Sequence, residues 1–163
     1  PALTVRNIRR RDDPRVAAQQ NKNGMAEFEA HNLAEDGDVL VISGVSGVSN
    51  MGGISAYTGQ RQGERGAVVM GGVRDVRHSR SIGYPIWASE ITPVTGKWRL
   101  ETVEINGEIQ IDQVRVNPGD LVVADDTGVV FIPRGSIMAV LELCEKKKAA
   151  EDCRIGSTRH CKK

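Results

Sequence analysis

The chain has 163 residues, 26% of them charged and 39% hydrophobic, which suits one domain with a sizeable core. A formal net charge of +1 points to neither nucleic acid nor a membrane surface, and no apolar run approaches the ~18 residues of a spanning helix. Three cysteines, Cys144, Cys153 and Cys161, form an odd set without an export signal, which argues against a disulfide framework and for the cytoplasm. The basic residues cluster at Arg6, Arg9, Arg10 and Arg11 and at Lys146, Lys147 and Lys148, a pattern that reads as solvated surface.

Residues 3–8 alternate like a strand. Residues 9–14 are charged and close on Asp12-Asp13-Pro14, a turn signal. Residues 16–33 are mixed and split by Gly24; residues 25–33 are predicted as a short helix. A turn at 35–38 leads to a buried strand at 39–42, then to a glycine and serine loop at 44–53. Residues 54–65 read as a helix weakened by Gly59 and Gly63, with Ser49 or Asn50 as its cap. A buried strand at 67–70, a helical turn at 76–82 and a short strand at 85–88 follow. Strand alternating with helix favours parallel pairing.

The second half is β-rich at 98–105, 109–116, 121–124 and 129–132. Asn106-Gly107 is a hairpin signal. Asn117-Pro118-Gly119-Asp120 and Asp125-Asp126-Thr127-Gly128 mark further turns. Ile137, Val140, Leu141 and Cys144 fall at i, i+3, i+4 and i+7, the mark of an amphipathic closing helix. The expected class is α/β, with mixed sheets flanked by helices.

Asn50 to Asp75 is the stretch most suggestive of chemistry. Gly52, Gly53, Ile54 and Ser55 put a glycine turn at a helix start, where backbone N–H groups face an anion. Arg74 and Asp75 end the next strand. Arginine grips a carboxylate through two parallel hydrogen bonds, and aspartate is a hard ligand for a divalent cation. Together these residues form a candidate site for a small carboxylate substrate.

Gly52-Gly53-Ile54-Ser55, Arg65-Gly66 and Gly72-Val73-Arg74-Asp75, with Gly83-Tyr84-Pro85-Ile86-Trp87, Asn117-Pro118-Gly119-Asp120 and Gly128-Val129-Val130-Phe131-Ile132-Pro133 downstream, resemble the RraA-like family. That family holds the regulator of ribonuclease E activity and class II pyruvate aldolases. The resemblance implies a swivelling β/β/α domain, assembled as a homotrimer or homohexamer with sites between subunits. The family's leading helices are missing ahead of Pro1, which reads as a processed or truncated start.

Carried onto this chain, the resemblance assigns substrate binding to Gly52, Gly53, Ile54, Ser55 and Arg74, and the metal, Mg²⁺ or Mn²⁺, to Asp75. Glu151 is the nearest match to a glutamate that reaches the metal of a neighbouring subunit through water. The implied reaction is cleavage of a small 2-oxo dicarboxylate or hydroxy acid through a pyruvate enolate, by retro-aldol chemistry or decarboxylation. The alternative is a non-catalytic regulator that binds a protein. Two positions depart from the aldolase pattern: Gly53, where an acid often stands, and Met70-Gly71-Gly72, where Asp-Gly often precedes the Val-Arg-Asp.

Other candidates have simpler readings. His78 lies three residues after Asp75 and reads as surface. Asp125 and Asp126 suit a turn for backbone reasons. Cys153, His160 and Cys161 lack the paired cysteine spacing of a zinc site. His31 carries no signal.

Overall fold

Runs of β-branched and apolar side chains become strands, with successive side chains on opposite faces of the sheet. In the computed structural model of the protein they are β1 (Ala2–Arg9), β2 (Val39–Ser43), β3 (Ser49–Met51), β4 (Gly66–Val73), β5 (Ile86–Ile91) and β6 (Leu100–Ile105). The structure describes residues 1–160, with side chains through residue 155. Between the strands lie α1 (Pro14–Gln19), α2 (Glu27–Leu33), α3 (Gly53–Arg61) and α4 (Val76–Ser81). The β7 (Ile109–Ile111), β8 (Val114–Val116), β9 (Leu121–Asp125) and β10 (Gly128–Ile132) strands follow, then α5 (Ile137–His160).

The β1, β2, β4 and β5 strands are mutually parallel, with Ala2 opposite Val39, Val39 opposite Gly66 and Ala67 opposite Ile86. The β6 strand runs antiparallel on the outer edge of β1. The short β3 strand prolongs the β2 side of β4, pairing with Gly72 and Val73. Parallel pairing therefore follows from the alternating first half, as expected.

Each face of this sheet is covered by a different kind of layer. Leu3, Val5, Leu40, Ile42, Ala67 and Val69 point toward α2, α3 and α4, and pack with Ala30, Ala56 and Tyr84. Their neighbours Ala2, Val41 and Val68 point the other way, against Ile109, Val116, Val122, Val129 and Phe131 of the hairpins β7–β8 and β9–β10. Burial on both faces explains why β2 and β4 read as unbroken apolar runs.

Four local details differ from expectation. The Asp-Asp-Pro segment starts a helix: the Asp13 carboxylate accepts from Arg15 N–H at 2.7 Å, and Pro14 opens α1. Asn106 turns the chain with φ +57°, but β6 and β7 do not pair. The β6 strand is taken by β1 and β7 by β8, so this turn carries the chain from one layer to the other. Residues 109–116 fold back on themselves at Asp112, at φ +53°. Finally, α5 leaves Met138, Leu141, Leu143 and Cys144 exposed within one chain, while Ile137 and Val140 are partly covered, so only the start of the expected apolar face is packed.

Candidate active site

In open α/β sheets, ligands bind beyond the carboxyl ends of the strands. Here β3 and β4 end side by side, and Arg74 N–H donates to Met51 C=O at 3.2 Å. Immediately beyond, Gly52 and Asp75 start α3 and α4 as their N-caps. The cleft between them has a volume of about 340 Å³. Gly52, Gly53, Ile54, Ser55, Arg74 and Asp75 all line it, so the residues singled out from sequence converge on one place.

The Asp75 backbone is left-handed, at φ +57° and ψ +29°, a region that aspartate tolerates better than most side chains. Its Oδ2 accepts from Gly53 N–H at 3.0 Å and lies 3.7 Å from Arg74 Nε. Both side chains are about half exposed, at 45% and 51%. As a stability device such a pair is worth at most ~1 kcal/mol. Its value is positional, because it sets a guanidinium and a carboxylate at the mouth of one cleft.

The glycines sit in close quarters with the side chains of the cleft. A Cβ on Gly52 would lie 2.9 Å from Arg74 Nε and 3.0 Å from Asp75 Oδ2. One on Gly53 would lie 3.0 Å from His78 Cδ2 and 3.2 Å from Asp75 Cβ. His78 itself is exposed but covers Gly53 from the side. The first N–H groups of a helix have no acceptor within it. With Gly53 N–H given to Asp75, those of Ile54 and Ser55 remain for an anion.

The capping expectation for α3 changes. Neither Ser49 nor Asn50 caps it; the N-cap is Gly52, without a side-chain bond. Asn50 is fully buried and instead fastens the glycine loop, donating to Val45 and Gly72 carbonyls at 2.9 and 3.2 Å and accepting from Val45 N–H at 3.0 Å.

The Ser55 hydroxyl is also committed elsewhere. It meets His31 Nε2 at 2.8 Å, while His31 Nδ1 meets Glu64 Oε1 at 2.7 Å. Tyr84 OH donates to the second oxygen of Glu64, and burial together with that carboxylate pushes the Tyr84 hydroxyl far above its usual range. Every member of this network is buried. Gly59 makes room for it, since a Cβ there would lie 2.3 Å from Glu64 Oε2. His31 has no recognisable sequence signal because its partners are remote in the chain.

Two cleft residues escaped the sequence reading. Lys97 adds a second cation, its Nζ resting 4.5 Å from the centre of the Trp98 ring. Glu27 opens α2 four residues before His31, on the same helical face. It is half-buried and lines the cleft, and its Oε2 is a buried oxygen without a hydrogen-bond partner. Desolvation holds its carboxyl above the usual range, opposed by its own backbone N–H and by the nearby charges of His31 and Arg74.

Glu151 is exposed on α5 and does not line the cleft within one chain. Asp125 holds a turn: its carboxylate accepts from Thr127 N–H at 2.7 Å, and the Thr127 bonds keep its carboxyl below the usual range. Of the tail residues, Cys153 is exposed, and Cys161 lies outside the described residues.

A divalent cation fits the donor set here in one mode only. Among the described residues no three His, Cys, Asp or Glu side chains are grouped to hold a metal, so one chain offers no zinc-like protein cage there. Asp75 offers one accessible carboxylate beside open space. Mg²⁺ is commonly held that way, by one or two carboxylates with water and substrate oxygens completing its shell.

The sequence pattern of the RraA-like family, described as Aldolase/RraA, matches residues 1–131. A Halalkalibacterium halodurans protein provisionally named 4-hydroxy-4-methyl-2-oxoglutarate aldolase is 32% identical over 134 residues, 81% of this chain and 63% of its own. Protein DlpA of Legionella pneumophila is 32% identical over 146 residues, 86% of this chain but 22% of its own. The chain thus spans less than two thirds of either relative. The structure of Streptomyces coelicolor RraAS2, described as an unusual member of the RNase ES inhibitor RraA family, superposes with a TM-score of 0.78. It is 27% identical and covers 94% of this chain and 74% of its own. On this pattern, these relatives and this fold, the chain belongs to the RraA-like family.

Proposed function

We propose that the protein is a divalent-metal-dependent carbon–carbon lyase. Its substrate would be a small 2-oxo dicarboxylate or related hydroxy acid, cleaved by a retro-aldol step, by decarboxylation, or by both. The observation that carries this reading is the convergence on one cleft of Asp75, Arg74 and the free amides at the start of α3.

Each of these groups has a distinct task. Asp75 would hold Mg²⁺ or Mn²⁺, with Gly53 N–H orienting its carboxylate. When bound, the cation supplies Lewis-acid stabilisation of negative charge on the reacting oxygen. Arg74 binds the carboxylate next to the keto group and adds positive charge beside the same atoms. The Ile54 and Ser55 amides would help orient the bound acid. Lys97 favours a second carboxylate, which suits a dicarboxylate.

The name borne by the Halalkalibacterium relative supports the aldolase form of this reading. We expect the protein to act in the cytoplasm as a homotrimer or homohexamer; the uncovered apolar residues of α5 favour self-association. No helix of the described residues is long and apolar enough to cross a membrane. Glu151 would reach a site only across such an assembly.

The test is Mg²⁺-dependent release of pyruvate from oxaloacetate, paired with Mn²⁺ binding measured by calorimetry. Asp75→Ala is expected to lose both, with turnover falling about 10³-fold or more. Equal turnover in the two proteins would overturn the lyase reading. It would favour a non-catalytic regulator, the reading supported by the description of the Streptomyces neighbour.

A further inference from the structure

We propose that Glu27 is the proton-transfer residue of the cleft, delivering the proton that converts the three-carbon enolate to pyruvate. This rests on the lyase reading above and adds to it a residue that neither motif nor spacing reveals.

Two carboxylates line the cleft, Asp75 and Glu27. If Asp75 serves the metal, Glu27 is the remaining acid. Gly53 can contribute no acid, and any side chain there would press on His78 and Asp75. The buried oxygen of Glu27 has no protein partner. In a structure where Asn50, His31, Glu64 and Tyr84 all find partners, that exception, on a carboxyl that lines the cleft, marks a group kept for chemistry rather than for stability. Its place on α2 also sets it against the cleft from a different element than Arg74 and Asp75.

Charge supports the role. Desolvation keeps the Glu27 carboxyl above the usual carboxylate range, while Arg74 and His31 pull it back. An acid tuned toward the working pH exchanges protons in both directions more readily than an ordinary carboxylate. His31 is held by Glu64 and Ser55, so it does not compete for the Glu27 oxygen.

The step balances without an oxidant or further reactant. In retro-aldol cleavage the Glu27 carboxylate accepts the proton of the substrate hydroxyl. The carbon–carbon bond breaks, and its electron pair stays on the three-carbon fragment. Glu27 then returns the proton to the terminal carbon of that fragment, giving pyruvate. In decarboxylation Glu27 enters protonated, carbon dioxide leaves, the proton goes to the same carbon, and solvent restores it.

The experiment follows the methyl protons of pyruvate exchanging with D₂O by NMR, in the presence of Mg²⁺. Wild type, Asp75→Ala, Glu27→Gln and Glu27→Asp are compared, with calorimetric binding of Mn²⁺ and of oxalate, an enolate mimic. Glu27→Gln is expected to lose about 10²–10⁴-fold in exchange and in oxaloacetate turnover, while still binding Mn²⁺ and oxalate. Glu27→Asp should recover part of the loss. Exchange at the wild-type rate in Glu27→Gln, with Asp75→Ala inactive, overturns the assignment of Glu27 and leaves the lyase reading standing. Loss of oxalate binding in step with activity also overturns it, making Glu27 a binding residue. No metal-dependent exchange or turnover in wild type removes the lyase reading, and Glu27's role with it.

Discussion

The buried cluster of His31, Glu64, Tyr84 and Ser55 and the open cleft of Glu27, Arg74 and Asp75 share α2 and the first turn of α3, yet their polar atoms are treated in opposite ways. In the cluster each side chain meets another, with His31 at 2.7 and 2.8 Å from its two partners. In the cleft, Glu27 Oε2 is buried without a partner, Asp75 takes up a left-handed backbone, and Arg74 meets Asp75 only at 3.7 Å. A buried polar group without a partner costs about 1–3 kcal/mol, and one with partners stabilises modestly. The contrast separates architecture from chemistry. The cluster ties α2, α3 and the strand β4 together, and the cleft leaves groups unspent for a ligand.

Breaking the cluster should therefore unfold the protein before it changes the chemistry. Glu64→Ala leaves His31 and Tyr84 facing an emptied, buried space. It is expected to cost about 3–5 kcal/mol, read as a lowered Tm and urea midpoint. A variant as stable as wild type would show that the cluster ties nothing together.

Filling the space beside the same cluster is a milder attack. Gly59→Ala would place a methyl group 2.3 Å from Glu64 Oε2 and 2.9 Å from Tyr84 OH. Overpacking of this kind costs about 1–3 kcal/mol, measurable by denaturant melts. Metal affinity of the surviving folded protein should be nearly unchanged, because Gly59 does not line the cleft and lies a full turn of α3 beyond Ser55.

The cleft predicts the opposite sign. The Glu27 carboxyl binds its proton more tightly in the folded chain than in the unfolded one. Its contribution is thus fully present below the unfolded value and is lost as pH rises through the folded one. Glu27→Gln should therefore melt close to wild type at about pH 4 and above it at about pH 8. Thermal melts across that range check it. A gain in stability alongside a loss of activity would be the signature of a residue kept for function.

Much of this molecule was legible in one dimension. Alternation and apolar runs marked β1, β2 and β4. Glycine at 52 and 53 and the Arg74-Asp75 pair marked the strand ends where a ligand binds, because backbone turns and helix starts are local events with local signatures. The regular strand–helix alternation of residues 39–91 determined parallel pairing. Even Asp13-Pro14 carried a cap, although it reads equally as a turn.

What tertiary structure decided were the relations between distant residues. His31 finds Glu64 across 33 positions and Ser55 across 24, and no period in the chain announces either pairing. Asn106 turns the chain as its residue type demands, but only the competition of β1 and β8 for the flanking strands determines that β6 and β7 part. Glu27 looks like any glutamate at the start of a helix until α2 docks beside Gly53 and Arg74. Folding then removes water from its carboxyl and leaves Oε2 without a partner, which sets it apart from the exposed Asp75 and from the buried, fully partnered Glu64.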